Sequence, residues 1–157
     1  MNNERTIKAP FPIEFRDKQY PTVFLAGSIE MGVAENWQET IDRELPREAI
    51  IFNPRRDDWD SSWVQSIHNE QFREQVEWEL NALDEANIIA LYFDPTTKSP
   101  ISLLELGLYA KTKKIVVCCP DGFWRKGNVE IVCERYDIPL FDSKELFVAE
   151  IKKLLTL

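Results

Sequence analysis

The chain has 157 residues, the size of one domain, and its 19 basic against 27 acidic side chains leave a net charge of −8. A surface of that sign repels phosphate backbones and anionic lipid, which excludes nucleic acid polymers and membranes as main partners. Hydrophobic residues at 44% supply a packed core and exclude a disordered chain.

The first 21 residues are polar and punctuated by proline, and read as an irregular lead. With no apolar stretch ending in a small-residue cleavage site, they do not form a secretory signal, and the protein is expected in the cytoplasm. From there on, short apolar runs alternate with helical periods. The runs cover 22–28, 50–54, 87–94, 114–120 and 138–141, and they are apolar on both alternations, as strands covered on both faces are. Helical patterns fall at 34–45, 69–85, 100–113, 129–136 and 143–155. This alternation predicts a single α/β domain, a flavodoxin-like doubly wound sheet of five parallel strands with helices on both faces, in three layers. Cys118, Cys119 and Cys133 are odd in number and have no second pair at ligand spacing, so they read as core residues and indicate neither a disulfide nor a zinc site.

Ligands of such sheets collect beyond the carboxyl ends of the strands, so the segments after each run are the ones to search. After the first stand Gly27 and Ser28, which can offer amides to a sugar or phosphate oxygen but lack the further glycines and the lysine of a phosphate loop. After the second come Asn53, Pro54 and a loop with Arg55, Asp58, Trp59, Asp60 and Trp63. Its aspartates can accept from a base edge or a hydroxyl, its arginines can pair with anions, and its tryptophans can stack on a flat ring. Two plainer readings stay open, a hard cation held by the three aspartates and a self-paired polar loop.

Two glutamates stand out. Ser99 and Pro100 form a cap and first turn, which puts Glu105 in the second turn of its helix, on the apolar stripe with Ile101 and Leu108. A carboxylate among leucines is costly unless it has a task, although Ser102 and Glu105 also have the spacing of a capping box. Glu79 lies at the edge of the stripe formed by Phe72, Val76, Leu80 and Leu83, where a solvated residue or a salt-bridge partner is the ordinary reading. Two carboxylates on one cleft suit glycosidic chemistry, one attacking or stabilising an oxocarbenium-like carbon and the other managing the leaving group's proton, without a metal or cofactor. His68 has neither a nucleophile elbow nor an orienting acid and reads as a surface residue.

Taken together, Phe24-Leu25-Ala26-Gly27-Ser28-Ile29, Asn53-Pro54-Arg55-Arg56, Trp78-Glu79-Leu80 and Ser102-Leu103-Leu104-Glu105-Leu106-Gly107 resemble the nucleoside 2-deoxyribosyltransferase family. The resemblance covers most of the chain. It implies base exchange on 2′-deoxyribonucleosides, with Glu105 as the nucleophile that attacks C1′ and forms a covalent glycosyl intermediate. Glu79 falls where the family commonly has an aspartate that handles base protonation or sugar contacts. Asn128 matches an asparagine that a neighbouring subunit lends to the sugar, which implies a homo-oligomer with shared sites. Phe24 stands where some members have a tyrosine touching the nucleophile. Nucleosides and free nucleobases are the partners implied, with no cofactor. Related hydrolases cleave deoxynucleoside monophosphates on the same scaffold, and that reading stays open beside transfer. A non-enzymatic alternative is a nucleotide-sensing module, or a receiver-like switch phosphorylated at Asp94; the switch lacks the expected acidic pair after the first strand and lysine after the fifth.

Overall fold

Residues of the type Ile-Ile-Ala-Leu-Tyr pack on both sides of a strand, so their strands take the middle of a sheet and need helices above and below. The computed structural model describes residues 5–29 and 36–156 and has this arrangement. Among the described residues the elements run β1 (Thr6–Lys8), β2 (Thr22–Gly27), α1 (Trp37–Glu44), β3 (Ile50–Asn53), α2 (Glu70–Glu85), β4 (Ile88–Tyr92), α3 (Pro100–Tyr109), a 3₁₀ turn (Ala110–Thr112), β5 (Ile115–Cys118), α4 (Lys126–Arg135), β6 (Leu140–Phe141) and α5 (Lys144–Leu155). All strand pairs are parallel, in the order β1-β3-β2-β4-β5-β6. The fold is α/β, flavodoxin-like and three-layered.

The sheet has six strands where five were expected. Thr6–Lys8 adds an edge strand beside β3, with Ile7 opposite Phe52. Only Ile7 is apolar, and charged Arg5 and Lys8 flank it, as suits an edge that must not recruit another chain. That composition hides the strand from a search for apolar runs, so the lead is partly regular. It is also anchored elsewhere: the Trp78 indole donates to the Phe11 carbonyl at 2.8 Å, and Arg16 pairs with Glu85 at 2.7 Å.

Helix boundaries shift as well. Residues 34 and 35 of the first expected helix lie outside the described residues; α1 is capped by Asn36, whose side chain accepts from the Glu39 amide. The expected helix 100–113 divides at Tyr109 into α3 and the 3₁₀ turn, which ends on Lys113 at φ 64°. Helix α4 begins at Lys126, earlier than expected, and β6 is only two residues long.

The core lies in two sheets of side chains. On one face Phe24, Ala26, Phe52, Leu91 and Val117 meet Trp78, Ala82 and Leu83 of α2, Leu106 and Tyr109 of α3, and Val129 and Cys133 of α4. On the other, Val23, Leu25, Ile51 and Val116 meet Trp37 and Ile41 of α1 and Phe147, Val148 and Ile151 of α5. The three cysteines are buried and free. No helix among the described residues is long and apolar enough to cross a membrane.

The chain leaves β2 for β3 on one side and returns to β4 on the other, so the crevice of this sheet opens above the carboxyl ends of β2 and β4. There Gly27 lies opposite Tyr92. Its φ is +133°, and a Cβ would sit 2.1 Å from the Tyr92 carbonyl oxygen and 3.0 Å from the Trp37 ring. Only glycine fits this corner, on both dihedral and contact grounds. Gly27→Ala is expected to destabilise the protein by about 2 kcal/mol or more, read as a lower urea midpoint at unchanged slope.

Candidate active site

Helix α2 starts at the Asn69 cap, whose side chain accepts from the Phe72 amide at 3.0 Å, and its Trp78, Ala82 and Leu83 face the sheet. Glu79 follows Trp78 and is carried to the edge of that buried face. Its Oε1 accepts from Gln75 Nε2 at 2.9 Å, one helical turn earlier, and the same Nε2 donates to the Pro54 carbonyl at 3.0 Å. Gln75 therefore ties Glu79 to the turn that follows β3.

Helix α3 begins at Pro100, as the serine-proline pair predicts, but Ser99 does not cap it. Ser99 is left-handed, at φ 46° and ψ 54°, and makes no side-chain cap bond. Its hydroxyl joins those of Ser28 and Thr97 in a buried cluster, in which Ser28 Oγ also accepts from the Asp94 amide at 2.9 Å. This knot fixes the loop after β4 to the end of β2. The capping-box reading of Ser102 and Glu105 also fails: Ser102 is inside the helix and buried, and Glu105 Oε2 is enclosed without a hydrogen-bond partner among the described residues.

The relative placement of α2 and α3 is latched at their far ends. Tyr109, four residues after Glu105, donates its hydroxyl to Asp84 Oδ1 at 2.7 Å. Burial and this acceptor push the phenol well above its usual range, so it stays a donor.

The two glutamates face one desolvated space. Burial pushes Glu79 up to about 7 against the opposing pull of the Gln75 amide, and burial with the charge of Glu79 pushes Glu105 up to about 8. Glu79, which has a donor, ionises first, and Glu105 then ionises beside it; the titration belongs to the pair. Such a pair holds a proton at neutral pH and can deliver one group as nucleophile and the other as acid or base.

The other expected residues are placed unevenly. Asp58, Trp59, Asp60 and Trp63 lie in the loop between β3 and α2, which leans on α2 through Arg56 and Glu74 at 3.6 Å. Trp59 and Trp63 meet edge to face with centroids 5.0 Å apart, and the Arg56 guanidinium lies 4.9 Å from the Trp63 ring centre. The aspartates disperse: Asp57 goes to Lys8, Asp58 to Arg56 and Asp60 to the Ser62 amide. Hydrogen bonds from Arg56 and Ser62 hold the Asp58 and Asp60 carboxyls below their usual range. Among the described residues no group of three His, Cys, Asp or Glu is placed to hold a metal ion.

Asn53 is buried, with Oδ1 accepting from the Arg55 amide at 3.0 Å, so its side chain shapes the turn. Asn128 is exposed on the first turn of α4, and His68 is exposed just before α2. Asp94 is buried and accepts from the Thr96 amide and hydroxyl at 2.8 and 2.7 Å, a local turn that leaves it poorly disposed as a phosphoryl acceptor. Phe24 packs on Trp78 at 6.4 Å and brings no hydroxyl to the pair. Two open clefts of about 780 and 620 Å³ are also present, and both include Tyr20. The larger is lined by Asn87, Lys114 and Ile115 at the amino ends of β4 and β5, away from the glutamates and from the strand ends where such sheets bind ligands. Gln75 is the site residue that sequence reading missed, and its spacing four before Glu79 is the signal that would have found it.

Because the unfolded chain releases these protons near 4.5 and the folded one near 7 and 8, the native state binds more protons between those values. Stability therefore falls as pH rises from about 5 to about 8. Glu105→Gln removes one of these protons from the linkage. It is expected to leave stability unchanged at pH 5 and to raise it at pH 8.5, as chemical denaturation at the two pH values would show.

A family model described as "Nucleoside 2-deoxyribosyltransferase like" matches residues 20–123. No curated protein matches the chain. The crystal structure of a conserved protein from Enterococcus faecalis V583 is similar at 14% identity, with 86% of this chain and 87% of that chain covered and a TM-score of 0.49.

Proposed function

The chain belongs to the nucleoside 2-deoxyribosyltransferase-like family, and on that premise we propose that it exchanges the nucleobase of 2′-deoxyribonucleosides through a covalent intermediate on Glu105. The observation that carries this reading is the enclosed Glu105 Oε2, which has no partner among the described residues and shares a desolvated space with a second carboxyl. An oxygen so placed is poorly stabilised as an anion until a positive centre reaches it, and the anomeric carbon of a departing nucleoside develops such charge.

In the first half-reaction Glu105 attacks C1′ on the face opposite the base. The N-glycosidic electron pair leaves with the base, which takes a proton from Glu79, and an ester joins Glu105 to the sugar. In the second, a ring nitrogen of the incoming base attacks C1′ from the opposite side. Its proton passes to Glu79 and the ester bond breaks, restoring Glu105. Two inversions give net retention. The free protein favours the proton on Glu105, and the developing charge at C1′ reverses that preference, leaving the proton with Glu79 when the base needs it. The Trp59 and Trp63 pair, on the loop that packs against α2, offers aromatic faces to the base. No cofactor enters these steps.

With a 2-fluoro-2-deoxyarabinosyl nucleoside, intact-protein mass spectrometry is expected to show one adduct, on Glu105. Glu105→Ala is expected to lose the adduct and at least about 10³-fold in turnover. Turnover surviving in that variant would refute the mechanism. Release of free deoxyribose alone, whatever base is supplied, would reassign the activity to hydrolysis.

The same reading extends to a second copy of the chain. Ile101, Leu104 and Leu108 of α3 are 57%, 57% and 55% exposed, on the helix that carries Glu105, and Val76 and Leu80 flank Glu79 on α2. An apolar stripe beside a reactive pair is a natural subunit contact that also excludes water from the site. Leu104→Asp with Leu108→Asp is expected to convert an oligomer to monomer in sedimentation and to lower kcat/KM. A wild-type monomer at micromolar concentration would remove the shared site.

A further inference from the structure

At the turn after β3, which Gln75 ties to Glu79, lies a second feature, made of buried donors with too few acceptors. Arg55 follows the Pro54 carbonyl that Gln75 grips, so it sits one residue from the tether of Glu79. Its guanidinium meets one described group, Gln38 Oε1, at a long 3.4 Å, and its Nε is enclosed without a partner. Gln38, in the first turn of α1, is 0% exposed, and its Nε2 also has no partner. Each of these groups is a donor, and burying donors without an acceptor is costly.

The chain has carboxylates in excess and uses several of them on other arginines. Arg5, Arg16, Arg43, Arg56 and Arg73 each meet one. Arg5, Arg16 and Arg56 also enclose an unpartnered nitrogen, but a carboxylate on a neighbouring nitrogen neutralises the group. Among the described residues Arg55 has no such neutralisation, and burial pulls its pKa below the usual arginine range. Nor does it compensate the glutamates: burial, with the Gln75 amide at Glu79 and the Glu79 charge at Glu105, accounts for both. The cation therefore stands apart from the reacting pair, at the carboxyl edge where a ligand enters.

We propose that Arg55 and Gln38 form an oxyanion subsite that takes a phosphate group, so that the preferred substrate is a nucleotide and not a bare nucleoside. The guanidinium supplies charge and Gln38 Nε2 a buried donor, the pairing that suits phosphate oxygens. The turn 53–55, held by the Asn53 side chain on the Arg55 amide, sets the cation's position relative to Glu79. The phosphate then binds at one end of the ligand while the sugar and base stay with Glu79 and Glu105. This assignment rests on the proposed nucleoside chemistry for the rest of the ligand, but the oxyanion subsite can be tested without it.

The experiment compares binding of a deoxynucleoside, its 5′-monophosphate and inorganic phosphate to full-length Glu105→Gln protein by calorimetry, with and without Arg55→Gln and, separately, Gln38→Leu. Circular dichroism confirms the fold, and Arg55→Met, which keeps the apolar stem and removes the charge, serves where Arg55→Gln fails to fold. The monophosphate is expected to bind at least about tenfold tighter than the nucleoside, with that ratio collapsing toward one in Arg55→Gln and falling partway in Gln38→Leu. Equal affinity for the two ligands, or a ratio untouched by both substitutions, overturns the proposal. Binding of inorganic phosphate that Arg55→Gln abolishes, with no binding of either nucleoside form, keeps the subsite and overturns both the nucleotide assignment and the nucleoside chemistry. No phosphate binding in any form overturns the subsite itself.

Discussion

Strands β2 and β4 run side by side to their last residues, and at the end Gly27 passes so close to the Tyr92 carbonyl that no side chain fits between them. That close approach sets the floor of the crevice. Directly above it, Ser28 is drawn into the hydroxyl cluster with Thr97 and Ser99, and the Trp37 indole donates to the Ser28 carbonyl at 3.0 Å. The loops after β2 and β4 are thus locked to each other and to α1. The start of α3 is fixed with them, because Pro100 follows Ser99 directly.

From this fixed point the candidate site is built by two lever arms. Helix α3 carries Glu105 outward from the knot, and Tyr109 latches its far end to Asp84 of α2. Helix α2 carries Glu79, which Gln75 ties back to the turn after β3. Each carboxyl is thereby held by backbone and side chains that do not take part in the chemistry. The result is an acid pair that burial holds partly protonated at neutral pH, which water would undo if the space were open.

The chain's negative charge takes on a local meaning in this arrangement. Most of its acids sit at the surface, several of them paired with cations, while Glu79 and Glu105 turn inward and Arg55 is left without a carboxylate. The glutamate pair is rich in acceptors with few donors, and the Arg55 and Gln38 pair encloses donors with one long contact, to Gln38 Oε1, between them. A ligand with an electropositive reacting carbon and an anionic end complements both. The exposed apolar stripe on α3 adds a wall that a second copy can complete.

By itself the sequence determined the fold class and five of the six strands, because apolar runs alternating with helical periods are local signals that survive any packing. It also singled out Glu105 and Glu79, since a carboxylate on an apolar stripe is visible from spacing alone. It missed β1, whose three residues carry one apolar side chain, and it misassigned Ser99, because a serine before proline looks the same whether it caps a helix or joins a buried cluster. Only the tertiary structure decided that choice, for the cluster depends on Ser28 and Thr97 arriving from other elements. The same holds for Gln38, for the bond that Gln75 makes to the Pro54 carbonyl, as distinct from its bond to Glu79 one turn on, and for Arg55. That no carboxylate reaches Arg55 is decided by the packing of the described residues, in which Asp57 is drawn across the sheet edge to Lys8 and Asp58 is taken by Arg56.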